Sequence, residues 1–332
     1  MKSFLKILTL IACINTFAME PETDLTNPKY SELEILDHVL NPSSNLITIN
    51  SQAETLVLIK LIRENGTIEI LENLDLETNC AEGIATSRLD NRYFKIKNIQ
   101  TYEIHGEVEC GKTNYWIFNA SEPTGQVIAI YDIAMKAVNK MSRAGIINSW
   151  TSKVNFRFPA DGDYYNWNTV NVSRGDHWDV VGHELGHAIY DQGNIGAFGG
   201  GSHKIDQCYS GALALSEGWA SFFSAWLSID ITDINAKFEY LVPRRAPITI
   251  EYIPADVCAG PRNEWRVTGF LWDLIDLAYD NESAETAFET LWNINKNKDY
   301  GDVKELARDL IRNGFDPILI NVIYKQNFLE EL

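Results

Sequence analysis

His183, Glu184 and His187 stand in the order H-E-x-x-H within residues 180–190, VVGHELGHAIY. Residues four apart on a helix share a face, one turn from each other, so the two imidazoles can reach one cation. Glu184 follows the first histidine. Its carboxylate therefore lies beside such a cation rather than on it, placed to take a proton from water and pass it to a leaving amine. The flanks Val180, Val181, Leu185, Ala188 and Ile189 recur at helical spacing, as a buried metal-binding helix requires.

A catalytic zinc ion needs a third protein ligand and one open position. Glu217 is the leading candidate. It sits in the apolar run ALALSEGWASFF at 212–223, where a charge is costly unless paired or bound to metal. Asp206 and His203 lie nearer in sequence, just past a glycine-rich stretch at 193–203, and stay open as alternatives.

These motifs resemble those of gluzincin metallopeptidases of the thermolysin and fungalysin kind. His183-Glu184-x-x-His187 matches the first motif, and the stretch 216–221, SEGWAS, is similar to the E-G-W-x-D helix of fungalysins. The resemblance covers about residues 125–280. A metzincin assignment fails, because Gly193 stands where that class has its third histidine and Tyr190 where it has its glycine. The resemblance implies one Zn²⁺ held by His183, His187 and Glu217, with Glu184 as general base and acid and a peptide or protein as substrate. An endopeptidase is expected, since no motif for anchoring an N-terminal amine is visible.

Two positions depart from the family pattern. Ser221 stands where an aspartate often orients a zinc-bound histidine; its hydroxyl can hydrogen-bond but carries no charge. No histidine follows His203, and within WRVTGFLW at 265–272 Arg266 falls at the place of the family's substrate-stabilising histidine. Arg266 is thus a candidate oxyanion-stabilising cation, with Tyr240, Tyr252 or Tyr279 as substitutes. An ion pair of Arg266 with Glu264 or Glu217 is the non-catalytic reading. The same departures suit a different class of molecule, a non-catalytic zinc-stabilised binding protein derived from a peptidase.

The elements that must position these residues are partly legible. Apolar spacing predicts helices over about 126–141, 177–191, 211–228, 264–280, 284–295, 302–313 and 317–328. Strands are expected at 154–158 and 169–173, and 166–172 reads as an edge strand beside the cleft. Residues 46–118 look mainly β, with runs at 55–59 and 67–71 around the turn signal Asn65-Gly66 and two further strands over 93–108. The expected class is α+β: a zincin-like domain over 119–332, with a small sheet, the motif helix and a mostly helical C-terminal part. A β-rich accessory or pro-region over 19–118 precedes it.

Residues 1–18 read as a signal peptide, with Lys2 and Lys6 beside a short apolar run and a small-x-small site ending at Ala18. Cys13 within LIAC offers a lipoprotein alternative. An exported chain keeps Cys80, Cys110, Cys208 and Cys258, an even number that favours two disulfides; Cys80–Cys110 and Cys208–Cys258 keep each pair within its own region. The remainder has no run long enough to span a membrane. A net charge of −18 disfavours nucleic-acid and anionic-membrane partners.

Overall fold

Small residues at matching intervals on two helices set the architecture around the motif. The computed structural model describes residues 55–63, 66–71, 76–196, 201–276 and 284–332. In chain order the strands β1 (Leu56–Ile62), β2 (Ile68–Leu71), β3 (Glu77–Asn79), β4 (Ile84–Arg88), β5 (Phe94–Lys97), β6 (Glu103–Glu107) and β7 (Thr113–Asn119) come first. Helix α1 (Pro123–Arg143) follows, then β8 (Val154–Arg157), β9 (Tyr164–Asn166), β10 (Thr169–Asn171), α2 (Trp178–Gly193) and α3 (Gly211–Ser228). After the short pair β11 (Lys237–Phe238) and β12 (Ile248–Thr249), four helices complete the chain: α4 (Glu264–Asp276), α5 (Ala284–Asn295), α6 (Val303–Arg312) and α7 (Pro317–Phe328). The protein is thus mixed α+β, with small sheets and seven helices among the described residues.

The motif helix α2 and the Glu217 helix α3 pack against each other. Gly182 and Gly186, four apart on α2, face Ser224 and Ala220, four apart on α3. A Cβ at Gly186 would lie 2.7 Å from the Ala220 carbonyl oxygen, and one at Gly182 would collide with the Ser224 side chain. Two backbones approach this closely only where one helix lacks side chains. Gly218 repeats the device on the far side of α3, where a Cβ would meet Val267 of α4 at 2.5 Å. Gly186→Ala is accordingly expected to cost about 1–3 kcal/mol by overpacking against backbone that cannot yield, read as a lowered urea midpoint.

Beneath this crossing lies an aromatic core. Trp219, Phe222, Phe223 and Trp226 are all buried, as expected of core rather than substrate pocket, and Trp226 stacks on Phe288 of α5 at 3.8 Å between centroids. The start of α2 is anchored by Asp179, whose buried Oδ2 accepts the backbone N–H groups of Glu239, Tyr240 and Leu241 at 2.7, 2.7 and 3.1 Å. Such convergence of N–H donors satisfies a carboxylate that burial alone would leave costly.

The sheet beside α2 has the order β5-β8-β10-β9. β5, β8 and β10 run parallel, while β9 pairs antiparallel with β10. Two sequence readings change here. The stretch 166–172 is a hairpin, not one edge strand: Trp167 and Asn168 both adopt positive φ (46° and 57°), the geometry of a tight two-residue hairpin turn. The edge is β9, and β10 lies inside the sheet. The expected division at 118/119 is also crossed, because β5 supplies the far edge of this same sheet and α1 packs on strands of the N-terminal stretch. Residues 55–71 and 75–332 form one compact unit.

Both expected disulfides are present, Cys80–Cys110 and Cys208–Cys258. They are consistent with an oxidising, extracellular setting. Among the described residues no helix is long and apolar enough to cross a membrane. The proposed signal peptide, the Cys13 alternative, Asn65 and Tyr279 lie outside the described residues.

Candidate metal centre

The close crossing of α2 and α3 brings three donor atoms together. His183 Nε2 and His187 Nε2 are 3.2 Å apart, and Glu217 Oε2 is 3.1 Å from each. All three side chains are buried. A tetrahedral ion with ligands at about 2.0–2.1 Å needs its donors about 3.3 Å from one another. Two imidazoles and one carboxylate oxygen at these separations therefore fit a divalent cation, and the cluster can hold one. Burial acts to raise the Glu217 carboxyl, but the two imidazoles against it win and hold it well below the usual carboxylate range. Glu217 thus presents the charged form that ligation requires.

The ring orientation of His183 is fixed from behind. Its Nδ1 is 3.0 Å from Ser221 Oγ, one turn along α3 from Glu217. The serine orients the ring without adding charge. Ser221→Ala is expected to weaken metal binding about 10-fold or more, measured by chelator competition.

Glu184 sits among these groups on the next position of α2. Burial raises its carboxyl to about 7, the nearby carboxylates of Glu217 and Asp163 push the same way, and the imidazoles of His183 and His203 oppose. A carboxyl poised there can accept and release a proton near neutrality.

Arg266 departs from expectation. It is 3% exposed, and its guanidinium donates to three backbone carbonyls: Cys258 at 2.7 Å, Asn327 at 2.6 Å and Val257 at 3.0 Å. It ties the 257–258 loop to the end of α7 and pairs with neither Glu217 nor Glu264. The reason is helical phase. Glu264, two residues earlier on α4, faces the cluster, and a residue two positions on points the opposite way. Of the substitute tyrosines, Tyr240 stacks on His177 with centroids 4.4 Å apart and Tyr252 is largely exposed.

The other two alternatives for the third ligand also take different places. Asp206 pairs with Arg244 at 2.9 Å. His203 reaches the cluster but lies beside the ligands: its Nδ1 is 2.6 Å from Glu264 Oε2, and its Nε2 is 3.5 Å from Glu217 Oε1. Contact with Glu264 raises the His203 imidazole to about 9, against the opposing effect of partial burial. Glu264 itself was not anticipated as part of the site. The available signal was a charged residue opening an apolar helix.

Comparison of the chain with protein-family models finds no match, and comparison with curated proteins finds none either.

Proposed function

We propose that this chain is an exported zinc-dependent peptidase of the gluzincin kind, with the zincin-like domain following an N-terminal β-rich stretch. The observation that carries the reading is the triangle of His183 Nε2, His187 Nε2 and Glu217 Oε2 at 3.1–3.2 Å, with a buried Glu184 beside it. Three protein donors of this type leave a fourth position open, the pattern of a catalytic rather than a structural zinc site. When bound there, zinc supplies Lewis acidity that lowers the pKa of water and polarises a carbonyl.

The chain's own residues supply the rest. His183 and His187 present their Nε2 atoms to the same point, the first ring held in place by Ser221. Glu217 supplies negative charge. Glu184 takes the proton of the attacking water and returns it to the departing amine, so one carboxyl serves as base and then as acid. β9 is an edge strand of this sheet, the place where the strand-like backbone of an extended peptide would add.

The test is cleavage of a mixed peptide library by the purified chain. Turnover should vanish with a chelator and return with added zinc. One bound zinc per chain without turnover on any peptide would instead favour the non-catalytic binding protein.

A further inference from the structure

Three carboxylates, Glu184, Glu217 and Glu264, are buried at the site. With Arg266 turned away, no lysine or arginine among the described residues pairs with any of them. Buried negative charge of this density is costly without matching cations. One divalent ion on the His183, His187 and Glu217 triangle offsets two of the three charges and leaves the third to His203 alone. We propose that His203, Glu264 and the second oxygen of Glu217 form a site for a second divalent cation, zinc or an ion of similar ligand preference, with Glu217 bridging the two sites. The assignment rests on the first metal site of the peptidase reading and gives that site a neighbour.

Four observations carry it. First, the three side chains offer one imidazole nitrogen and two carboxylate oxygens that all lie within 4.8 Å of one another. A mixed imidazole and carboxylate set suits zinc and related first-row divalent ions. Second, the two oxygens of Glu217 face different groups. Oε2 is 3.1 Å from both imidazoles of the first triangle, while Oε1 is 3.5 Å from His203 Nε2. A carboxylate so placed can give one oxygen to each of two ions, and paired ions in such sites stand about 3.5–4 Å apart.

Third, the contact between His203 and Glu264 is not a hydrogen bond. Nδ1 lies 2.6 Å from Glu264 Oε2, yet this buried nitrogen has no hydrogen-bond partner. Its in-plane direction therefore passes the oxygen instead of meeting it. Two ligands of one ion sit side by side in this manner, each aimed at the ion and not at its neighbour. A metal ion takes the place of the proton on that ring.

Fourth, the donors are held in advance. Asn263 donates to the carbonyls of Ile205 and Gln207 at 2.8 and 3.0 Å, Tyr209 N–H donates to Arg262 O at 2.9 Å, and Cys258 N–H donates to Asp206 O at 3.0 Å. The Cys208–Cys258 disulfide closes the same contact covalently. The residues after His203 are therefore fastened to those immediately before Glu264, which sets the two side chains in register. The Glu217 and Glu264 side chains are each 8% exposed and that of His203 is 27% exposed, so an ion can enter from solvent past the ring.

The experiment titrates zinc into the chelator-stripped chain by calorimetry, for wild type, His203→Ala and Glu264→Gln, and follows Co²⁺ loading of each by electron paramagnetic resonance. Wild type should take up two ions, the second more weakly because it adds positive charge beside the first, so that a dialysed chain keeps one. Each variant should leave the first binding step unchanged and weaken the second about 100-fold or more. In wild type the Co²⁺ signal should grow with the first equivalent and fall as the second is added, because ions bridged by a carboxylate couple magnetically. In either variant it should not fall. His203 sits at a half-buried loop position, so His203→Ala keeps the fold and carries the test by itself if Glu264→Gln unfolds.

Saturation of wild type at one ion would overturn the assignment, as would a second step unchanged in either folded variant or two Co²⁺ signals that simply add. These outcomes leave the first zinc site and the peptidase reading intact. A wild-type chain that takes up no zinc would overturn both.

Discussion

Glu184→Gln should abolish peptide cleavage while the chain keeps its metal. The substitution preserves shape and removes only the capacity to hold a proton. General-base catalysis of this kind contributes about 10²–10⁴-fold, and Glu184 would act in both proton transfers, so a loss at or above the upper end is expected in kcat. The Glu184 carboxyl is buried and feels the charges of Glu217, Asp163, His183 and His203, an environment tuned to this one group. Zinc content should stay at one per chain, because Glu184 is absent from the donor triangle. Cleavage of the library peptide at even a tenth of the wild-type rate would sink the mechanism.

Glu217→Ala should strip the metal. Structural zinc sites bind with about 10–16 kcal/mol shared over four ligands. Deleting one of these ligands therefore removes about 2.5–4 kcal/mol, or about 10²–10³-fold in affinity. The loss is sharpened by geometry, since Glu217 Oε2 is equidistant at 3.1 Å from both imidazole nitrogens. Elemental analysis of the dialysed variant should find well under one zinc per chain. Its apo form should still fold, because α3 is held by the Gly182, Gly186 and Gly218 contacts rather than by Glu217. An unchanged zinc content with Glu217 removed would transfer the ligand role elsewhere and end the proposal.

Both predictions draw on residues that could be read in the chain before any coordinates. A helix carries its own geometry, so His183 and His187 share a face wherever α2 lies. Glu217 was conspicuous because an ionised carboxyl in an apolar helix demands a partner. The cysteine pairing followed from parity and proximity in sequence. Each of these is a local property, decided within a few turns of one helix or by composition.

The remaining assignments depended on separations that no local rule governs. Arg266 and Glu264 stand two residues apart, and only the rotation of α4 about its axis decides which one faces the cluster. Trp167 and Asn168 look like the interior of a strand until their positive φ values turn it into a hairpin and move the sheet edge to β9. His203 gains its place because residues 205–209 are fastened to 258–263, fifty or more positions away. The sequence by itself determined the metal-binding residue types and their spacing. Only the tertiary structure decided which of the neighbouring charges meets them, because that choice is made by helix rotation and by close glycine contacts between distant segments.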